Sequence, residues 1–487
     1  MNTDDTAKTI NDAKEALTKL FISKLAELRK EDAPVTLANL EDELIHIGHD
    51  VMAQAFGETL TSFDLLLCKN LTPGHHIHDR YRHTLATKIG DVTFTQTRTR
   101  NKYKNDFSPL ADALDMPRGI RISPAACDFL IEAACDVSYT RAARLLHKSG
   151  GSCVSATAVM RAMQIAGGLC EQEDNTQAKA LYQQGLLPGG TEVAEELLVE
   201  ADGTWFSVQK PKEGEPRRLE VKAVVAYSAK ERDGSKVKRK DVVRHACVAS
   251  PEQFCAEAVA SIGKTYDLSK IKTLHVGSDG EPWCKNIGRW FPCGKTKGHL
   301  DPFHVNRAII SCFTKDNKKL ANGILSVAMQ GEATYAASLI QAAEDAGVAK
   351  NGSSRVAEYL RNNAEIIYTK GPSLGTMEAE NQHIYGVRMD SFPCAWSVQG
   401  ASNMARLRGR SVSGRTIPRQ TRDMSLSAKR RRRRNEKEYA FYERKTGVIP
   451  ESTGHGYAYP HQASVAQLSP EVRYIANVDG GMTLNVG

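Results

Sequence analysis

Two aspartates, each set before a glycine at the end of an apolar run, are the residues best suited to carry chemistry. In Leu197-Leu198-Val199-Glu200-Ala201-Asp202-Gly203-Thr204-Trp205, strand alternation puts Glu200 and Asp202 on one face and Leu197, Val199 and Ala201 on the other. Ile271 to Gly280 ends the same way, in Ser278-Asp279-Gly280. An aspartate that merely starts a turn accounts for either one alone. If the two strands are neighbours, however, Asp202 and Asp279 emerge side by side, and both ionise cheaply only with a cation between them. Hard oxygen ligands of this kind suit Mg²⁺ or Mn²⁺, which keep open positions for phosphate oxygens. A third carboxylate would let two ions clamp an in-line phosphoryl displacement. Glu378 and Glu380 in Gly375-Thr376-Met377-Glu378-Ala379-Glu380-Asn381 are the candidates. On a helix they lie about 200° apart, so only one faces the site, and the apolar residues nearby do not choose between them.

The elements that must position these residues can be read around them. Gly203 is expected to turn the chain, so that Leu197–Ala201 and Thr204–Val208 form a hairpin. Arg218–Tyr227 alternates as a third strand, a helix follows from Pro251, and Ile271–Ser278 is a further strand. Then come a helix with Trp283 and Trp290 and a short strand into Leu300-Asp301-Pro302-Phe303-His304. A meander followed by alternating helix and strand describes an α+β, mixed sheet with helices packed on it.

Upstream, residues 6–68 read as helices, with Leu40, Leu44, Ile47, Met52 and Phe56 forming an apolar stripe suited to packing or dimerisation. His75, His76 and His78 fall in a loop. Thr84 to Thr97 is a hairpin turning at Gly90-Asp91, and Arg98, Arg100 and Lys102 follow it among aromatics, a mixture that suits nucleic acid. Between Ser123 and Gly168, two short helices around a Gly-Gly turn, carrying Arg141, Arg144 and Arg161, have the pattern of a helix-turn-helix.

The 487 residues require several domains, and their net charge of +8 is concentrated late. Arg388, Arg406, Arg408 and Arg410 precede the run Lys429-Arg430-Arg431-Arg432-Arg433-Arg434, which favours a polyanionic partner without specifying sequence. Eleven scattered cysteines with no Cys-x-x-Cys pair argue against a disulfide framework or a zinc ribbon, and for a reducing compartment. No apolar run is long enough to span a bilayer and the N-terminus is polar, so a cytoplasmic, nucleoid-associated location without membrane contact is expected.

Glu-Ala-Asp202-Gly-Thr-Trp, Gly-Ser-Asp279-Gly-Glu-Pro-Trp, Leu-Asp301-Pro-Phe-His304 and Gly-Thr-Met-Glu378 together resemble the DDE transposases of bacterial insertion sequences, in particular the ISLre-type group. The resemblance covers most of residues 80–410, with Arg388-Met389 and Trp396-Ser397 included. It implies a ribonuclease-H-like core interrupted by a helical insertion before the last carboxylate, and it favours Glu378 over Glu380. Asp202, Asp279 and Glu378 would then be both catalytic residues and ligands of two Mg²⁺ or Mn²⁺ ions. Asp301 and His304 resemble a pair that lies beside the active site in mutator-like and hAT transposases, the alternative being a helix-capping Asp with a packed His.

The organisation expected is a helical region at 1–80, a basic hairpin region at 81–115, a helix-turn-helix-like region and linker at 116–190, and a first part of the core at 191–305. A helical insertion at 306–370, a last core helix at 371–410 and a basic tail at 411–487 follow. The activity implied is hydrolysis and strand transfer at element ends on double-stranded DNA, by a homodimer or larger synaptic assembly. The rivals are a nuclease of the same core that does not join strands, and a non-catalytic DNA-binding derivative. A carboxylate-pair glycosidase fits poorly with four tryptophans and a basic tail.

Overall fold

A computed structural model describes residues 3–28, 36–71, 74–101, 106–117, 119–211, 213, 216–234, 236–367, 371–372, 374–390 and 394–420. The described residues divide into two compact units: those within 3–130 and 139–159, and those within 131–138 and 160–419.

In the first unit α1 (Thr3–Leu28) and α2 (Leu37–Lys69) precede a long antiparallel pair, β1 (His75–Thr87) and β2 (Gly90–Asn101), with β3 (Asp106–Phe107) added on β2 and α3 (Pro109–Ala113) after it. The hairpin expected here is present, but it turns at Lys88-Ile89, and the histidines read as a loop begin β1. α2 lies on β2 through Gly57, where a Cβ would sit 2.4 Å from the Thr93 carbonyl oxygen. Two side chains fasten this contact: Thr61 accepts from the Thr95 N–H at 3.1 Å, and buried Asp64 accepts from the Thr97 N–H at 3.0 Å and its hydroxyl at 2.5 Å. The helix therefore buries Ala53, Gly57, Leu60 and Asp64, while Met52 and Phe56 of the expected stripe stay exposed. α4 (Pro124–Asp136) and α6 (Ala156–Gln184) begin in this unit and run on into the second, with α5 (Tyr139–Gly150) between them in sequence. The two parts of the helix-turn-helix reading are thus helical, on α5 and α6.

The second unit is built on a five-stranded mixed sheet of β4 (Glu196–Ser207), β5 (Arg218–Tyr227), β8 (Val243–Cys247), β9 (Thr273–Ser278) and β10 (Lys295–Leu300), in the order β10-β9-β4-β5-β8. Between β5 and β8 stands a separate two-stranded hairpin, β6 (Ala229–Asp233) and β7 (Lys236–Lys240). β5 pairs antiparallel with β4 and β8, whereas β9 runs parallel to both β4 and β10. The alternation in β4 does its expected work. Leu197, Val199 and Ala201 join Val224, Leu274 and Val276 in a core covered by Phe254, Ala258 and Ile262 of α7 (Pro251–Ile262). Glu200 and Asp202 face the opposite side.

Gly203 does not turn the chain. β4 runs straight through it, and Gly203 pairs with Lys222 of β5. A Cβ at Gly203 would lie 2.3 Å from a carboxylate oxygen of Glu220, the partner of the buried Lys222 ammonium, so a larger residue there would displace that carboxylate.

After β9 come α8 (Pro282–Asn286), β10 and then α9 (Pro302–Ser311), α10 (Lys318–Met329), α11 (Ala333–Asp345), α12 (Ser354–Asn362) and α13 (Ala364–Ile367). These last helices share a core of their own, with Val305, Ile309, Ile324, Ile340 and Leu360 at its centre, and they form the all-helical segment expected after residue 305. The chain then returns through α14 (Met377–Glu380), a π-turn at Asn381–Gly386, α15 (Val387–Met389) and α16 (Val398–Val412). Among the described residues no helix is long and apolar enough to cross a membrane.

Candidate metal centre

Three parallel strands bring acidic residues to one end of the sheet. Leu300 of β10 is level with Ser278 of β9, and Gly277 is level with Glu200 of β4. Asp301 and Asp279 therefore leave the sheet side by side, and Asp202 lies where β4 has run past the end of β9. The carboxyl ends of parallel strands are where open α/β sheets place their ligands, because there the chain leaves the ladder and its side chains become available.

Ligand atoms of Asp202, His304 and Glu378 all lie within 4.8 Å of one another. Asp202 is buried, His304 half-buried and Glu378 exposed, so the cluster runs from the sheet out to the surface. Asp202 is held by the Gly203 N–H on Oδ1 at 2.7 Å and the Asn381 amide on Oδ2 at 2.8 Å. Burial first, then the charge of Asp279, raises its pKa from 3.8 to about 7; Glu378 and Asp301 add to the rise and the Gly203 N–H opposes it. An uncompensated concentration of negative charge of this kind is what a bound cation relieves.

The neighbours divide the remaining work. Asp279, expected as a ligand, acts on Asp202 through its charge, while its Oδ1 accepts the Glu281 N–H at 2.9 Å in a turn completed by Gly280 at φ +100°. His304, read from the sequence as lying beside the site, is the third residue whose ligand atom lies within 4.8 Å of those of Asp202 and Glu378. Asp301 caps α9, accepting from the Phe303 N–H at 2.8 Å, which is the helix-capping alternative of the Asp301-His304 reading, while His304 lies in the Asp202–Glu378 group. Glu200 is not free to bind an ion. It accepts from the Tyr227 hydroxyl at 2.5 Å, the N–H groups of Gly375 and Thr376 at 2.7 and 2.6 Å, and the Thr376 hydroxyl at 2.6 Å. These bonds fix the loop from which Glu378 starts.

Glu380 points elsewhere. Arg244 grips it with Nε at 2.7 Å and Nη2 at 3.1 Å, and Arg239 binds it as well. Burial raises its pKa, but the two guanidiniums outweigh burial and hold it below the usual carboxylate range.

The basic residues expected on DNA divide sharply. Arg388, Arg406, Arg408 and Arg410 are buried, and their charges are spent inside the protein, which corrects that expectation. Arg388 donates to the Ala134 carbonyl at 2.9 Å; Arg406 binds Asp174 at 2.8 Å and Glu257 at 2.6 Å. Arg408 pairs with Asp136 at 2.7 Å, and Arg410 with Glu173 and Asp174, each at 2.6 Å. Arg98 lies 3.5 Å from Asp79, and Arg100 bonds Asp106 at 2.6 Å, both near the surface. Arg141, Arg144 and Arg161 are exposed on α5 and α6. Lys102 and Lys429, Arg430, Arg431 and Arg432 lie outside the described residues.

A second group, His245, Cys247 and Glu257, also converges, but it is fully buried and Arg406 already neutralises its carboxylate. Burial pushes the Cys247 thiol up, which disfavours the thiolate that a metal would need. Of the two clusters only the first fits a divalent cation. Its donors are two carboxylates, which suit Mn²⁺ or Mg²⁺, and one imidazole, which suits transition metals and so favours Mn²⁺ of the two. Beside it, the buried Asn381 Oδ1 has no hydrogen-bond partner among the described residues.

Sequence reasoning missed Asn381, which only the fold brings to Asp202, and it missed the β6–β7 hairpin. The hairpin had a local signal in Arg232-Asp233-Gly234-Ser235, a Gly-Ser pair of the kind that turns hairpins, between two strand-length segments of which the second is basic.

An uncharacterised protein family, UPF0236, matches residues 30–424. Two UPF0236 proteins of Caldanaerobacter subterraneus subsp. tengcongensis are each 25% identical over 339 residues, which is 68% of this chain and 64% and 68% of theirs. The match thus spans about two thirds of the length of those relatives.

Proposed function

The chain belongs to the uncharacterised family UPF0236, and from its carboxylate site we propose that it is a metal-dependent DNA transposase of an insertion sequence. The observation that carries this reading is the convergence of Asp202, Glu378 and His304 where the parallel strands end, with Asp279 and Asp301 beside them. The strand order, three antiparallel strands continued by two parallel ones, supports a ribonuclease-H-like core, and helices α9–α13 before Glu378 support the insertion that the DDE resemblance implies.

In this reading Asp202, Glu378 and His304 would hold one divalent cation, and Asp279, whose charge acts on Asp202, would help to hold a second. When bound, such ions supply Lewis-acid stabilisation of phosphoryl oxygens and an acidified water. The protein's own part is positional. Asn381 and the Gly203 N–H orient Asp202, and Glu200 fixes the Gly375-Thr376 loop that delivers Glu378. Asp301 sets the start of α9, so that His304 in its first turn meets the two carboxylates. In-line attack by water would free a strand end, and attack by its 3′-hydroxyl on a second duplex would join it at the same site. Joining requires two ends, and exposed Leu20, Ile22, Met52 and Phe56 on α1 and α2 favour a dimeric or larger assembly. Action on chromosomal DNA calls for a cytoplasmic location.

The test is a strand-transfer assay on the full chain with pre-cleaved element ends and Mg²⁺ or Mn²⁺. The expected result is joined product, abolished by Asp202→Asn and Glu378→Gln. Cutting without joining would leave a nuclease; DNA binding unaffected by metal or by either substitution would leave a non-catalytic derivative.

A further inference from the structure

The carboxylate centre has an electrostatic difficulty that its ligands do not solve. Asp202, Asp279, Asp301 and Glu378 together repel the phosphate backbone that the proposed chemistry must bring to them. A cation supplied by the protein beside the centre would relieve that repulsion, and the chain builds an element that carries one.

This element is the β6–β7 hairpin. It stands apart from the main sheet, in the connection between β5 and β8. Lys230 is paired directly with Arg239 across it. Both charged groups lie against the ring of Tyr227, Lys230 Nζ 5.6 Å and Arg239 Cζ 5.7 Å from its centroid. The Tyr227 hydroxyl holds Glu200, so the two cations face the supports of the metal centre. Arg239 is committed to the protein: it binds Glu380 and donates to the Thr376 hydroxyl at 3.2 Å, which ties the hairpin to the segment that carries Glu378. Lys230 is half-buried and lies within electrostatic reach of both Glu200 and Asp301. The acidic residues of β6 are on the other side. Glu231 and Asp233 alternate with Lys230, both are exposed, and Asp233 is bonded to Lys238 at 2.6 Å.

We propose that the β6–β7 hairpin is a strand-holding arm of the carboxylate centre, with Lys230 contacting a DNA phosphate next to the bond being cut and Arg239 anchoring the arm. The assignment rests on the reading of the centre as a DNA-processing site. It adds the element that holds the substrate strand and the face by which it does so.

The experiment reads binding apart from cleavage. Affinity of the full chain for a fluorescein-labelled DNA duplex is followed by anisotropy across a salt series in EDTA, for wild type, Lys230→Gln, Lys230→Arg and Lys238→Gln. Loss of one phosphate contact lowers the slope of log affinity against log salt by about 0.9. That drop is expected for Lys230→Gln, with Lys230→Arg restoring the slope and Lys238→Gln leaving it unchanged. A slope unchanged in Lys230→Gln overturns the proposal, as does an equal drop in Lys238→Gln or a wild type that binds no DNA. Mg²⁺-dependent cleavage, measured separately, tests the centre itself. The expected drop in a protein that never cleaves would keep the arm and remove the transposase reading.

Discussion

Glu378 and Glu380 stand two residues apart on α14 and serve opposite ends: an oxygen of Glu378 lies within 4.8 Å of a ligand atom of Asp202, whereas Glu380 is gripped by Arg244 at 2.7 Å. The exposed residue stands with the candidate ligands, and the buried one is paired inside the structure. Glu378→Gln should change stability by less than about 0.5 kcal/mol, as for an exposed position, and remove Mn²⁺-induced stabilisation. Glu380→Gln should cost about 3 kcal/mol, because Arg244 and Arg239 are left without their anion. Urea denaturation with and without Mn²⁺ checks both, and the reverse pattern would exchange their roles.

Asp202 makes stability and metal binding depend on pH in opposite senses. Its folded pKa of about 7 exceeds the unfolded value of 3.8. Its contribution is therefore fully present below about pH 4 and is lost as pH rises through 7. In EDTA, Asp202→Asn should be more stable than wild type at pH 8, by an amount on the order of a kcal/mol, and the gain should vanish near pH 4. With Mn²⁺ the wild type should instead gain stability as pH rises through 7, because the cation competes with the proton on Asp202. Melting curves from pH 4 to 8 read both trends; an Asp202→Asn gain independent of pH would refute the account.

Glu200 tests whether the loop before Glu378 must be held. Glu200→Gln puts an N–H₂ among four donors, Tyr227, the two N–H groups and the Thr376 hydroxyl. Mn²⁺ affinity should fall about 10- to 100-fold with the fold retained, the effect usual for residues that orient ligands. Calorimetric titration measures it, and an unchanged affinity would show that the loop keeps its place by other means.

Arg406 carries the most consequential buried charge. Burial works against the Glu257 carboxylate, but His245 and Arg406 hold its pKa down to about 2, and Arg406 also binds Asp174. Arg406→Met should cost about 3 kcal/mol by leaving buried Glu257 without its guanidinium and Asp174 with Arg410 as its remaining arginine. A change below 1 kcal/mol in the urea midpoint analysis would mean that His245 and Arg410 suffice.

Much was settled locally, by the sequence itself. Strand alternation from Leu197 to Asp202 set which side chains enter the core, since neighbouring residues of a strand point to opposite faces. The Asp-Gly at 279–280 marked a true strand end, and the apolar spacing after residue 305 marked helices. Gly203 misled because a glycine within a strand, beside the Glu220 carboxylate, looks in sequence like one that turns the chain. The arginines misled for a related reason: sequence records charge but not burial, and Arg388, Arg406, Arg408 and Arg410 satisfy partners up to 273 residues away. Tertiary structure alone decided that His304 lies with Asp202 and Glu378, that Glu200 is bonded to the Gly375-Thr376 loop, and that Lys230 lies against the Tyr227 ring. Each of those outcomes depends on which strands lie side by side and where one outruns its neighbour, a property of chain crossing that no local pattern encodes.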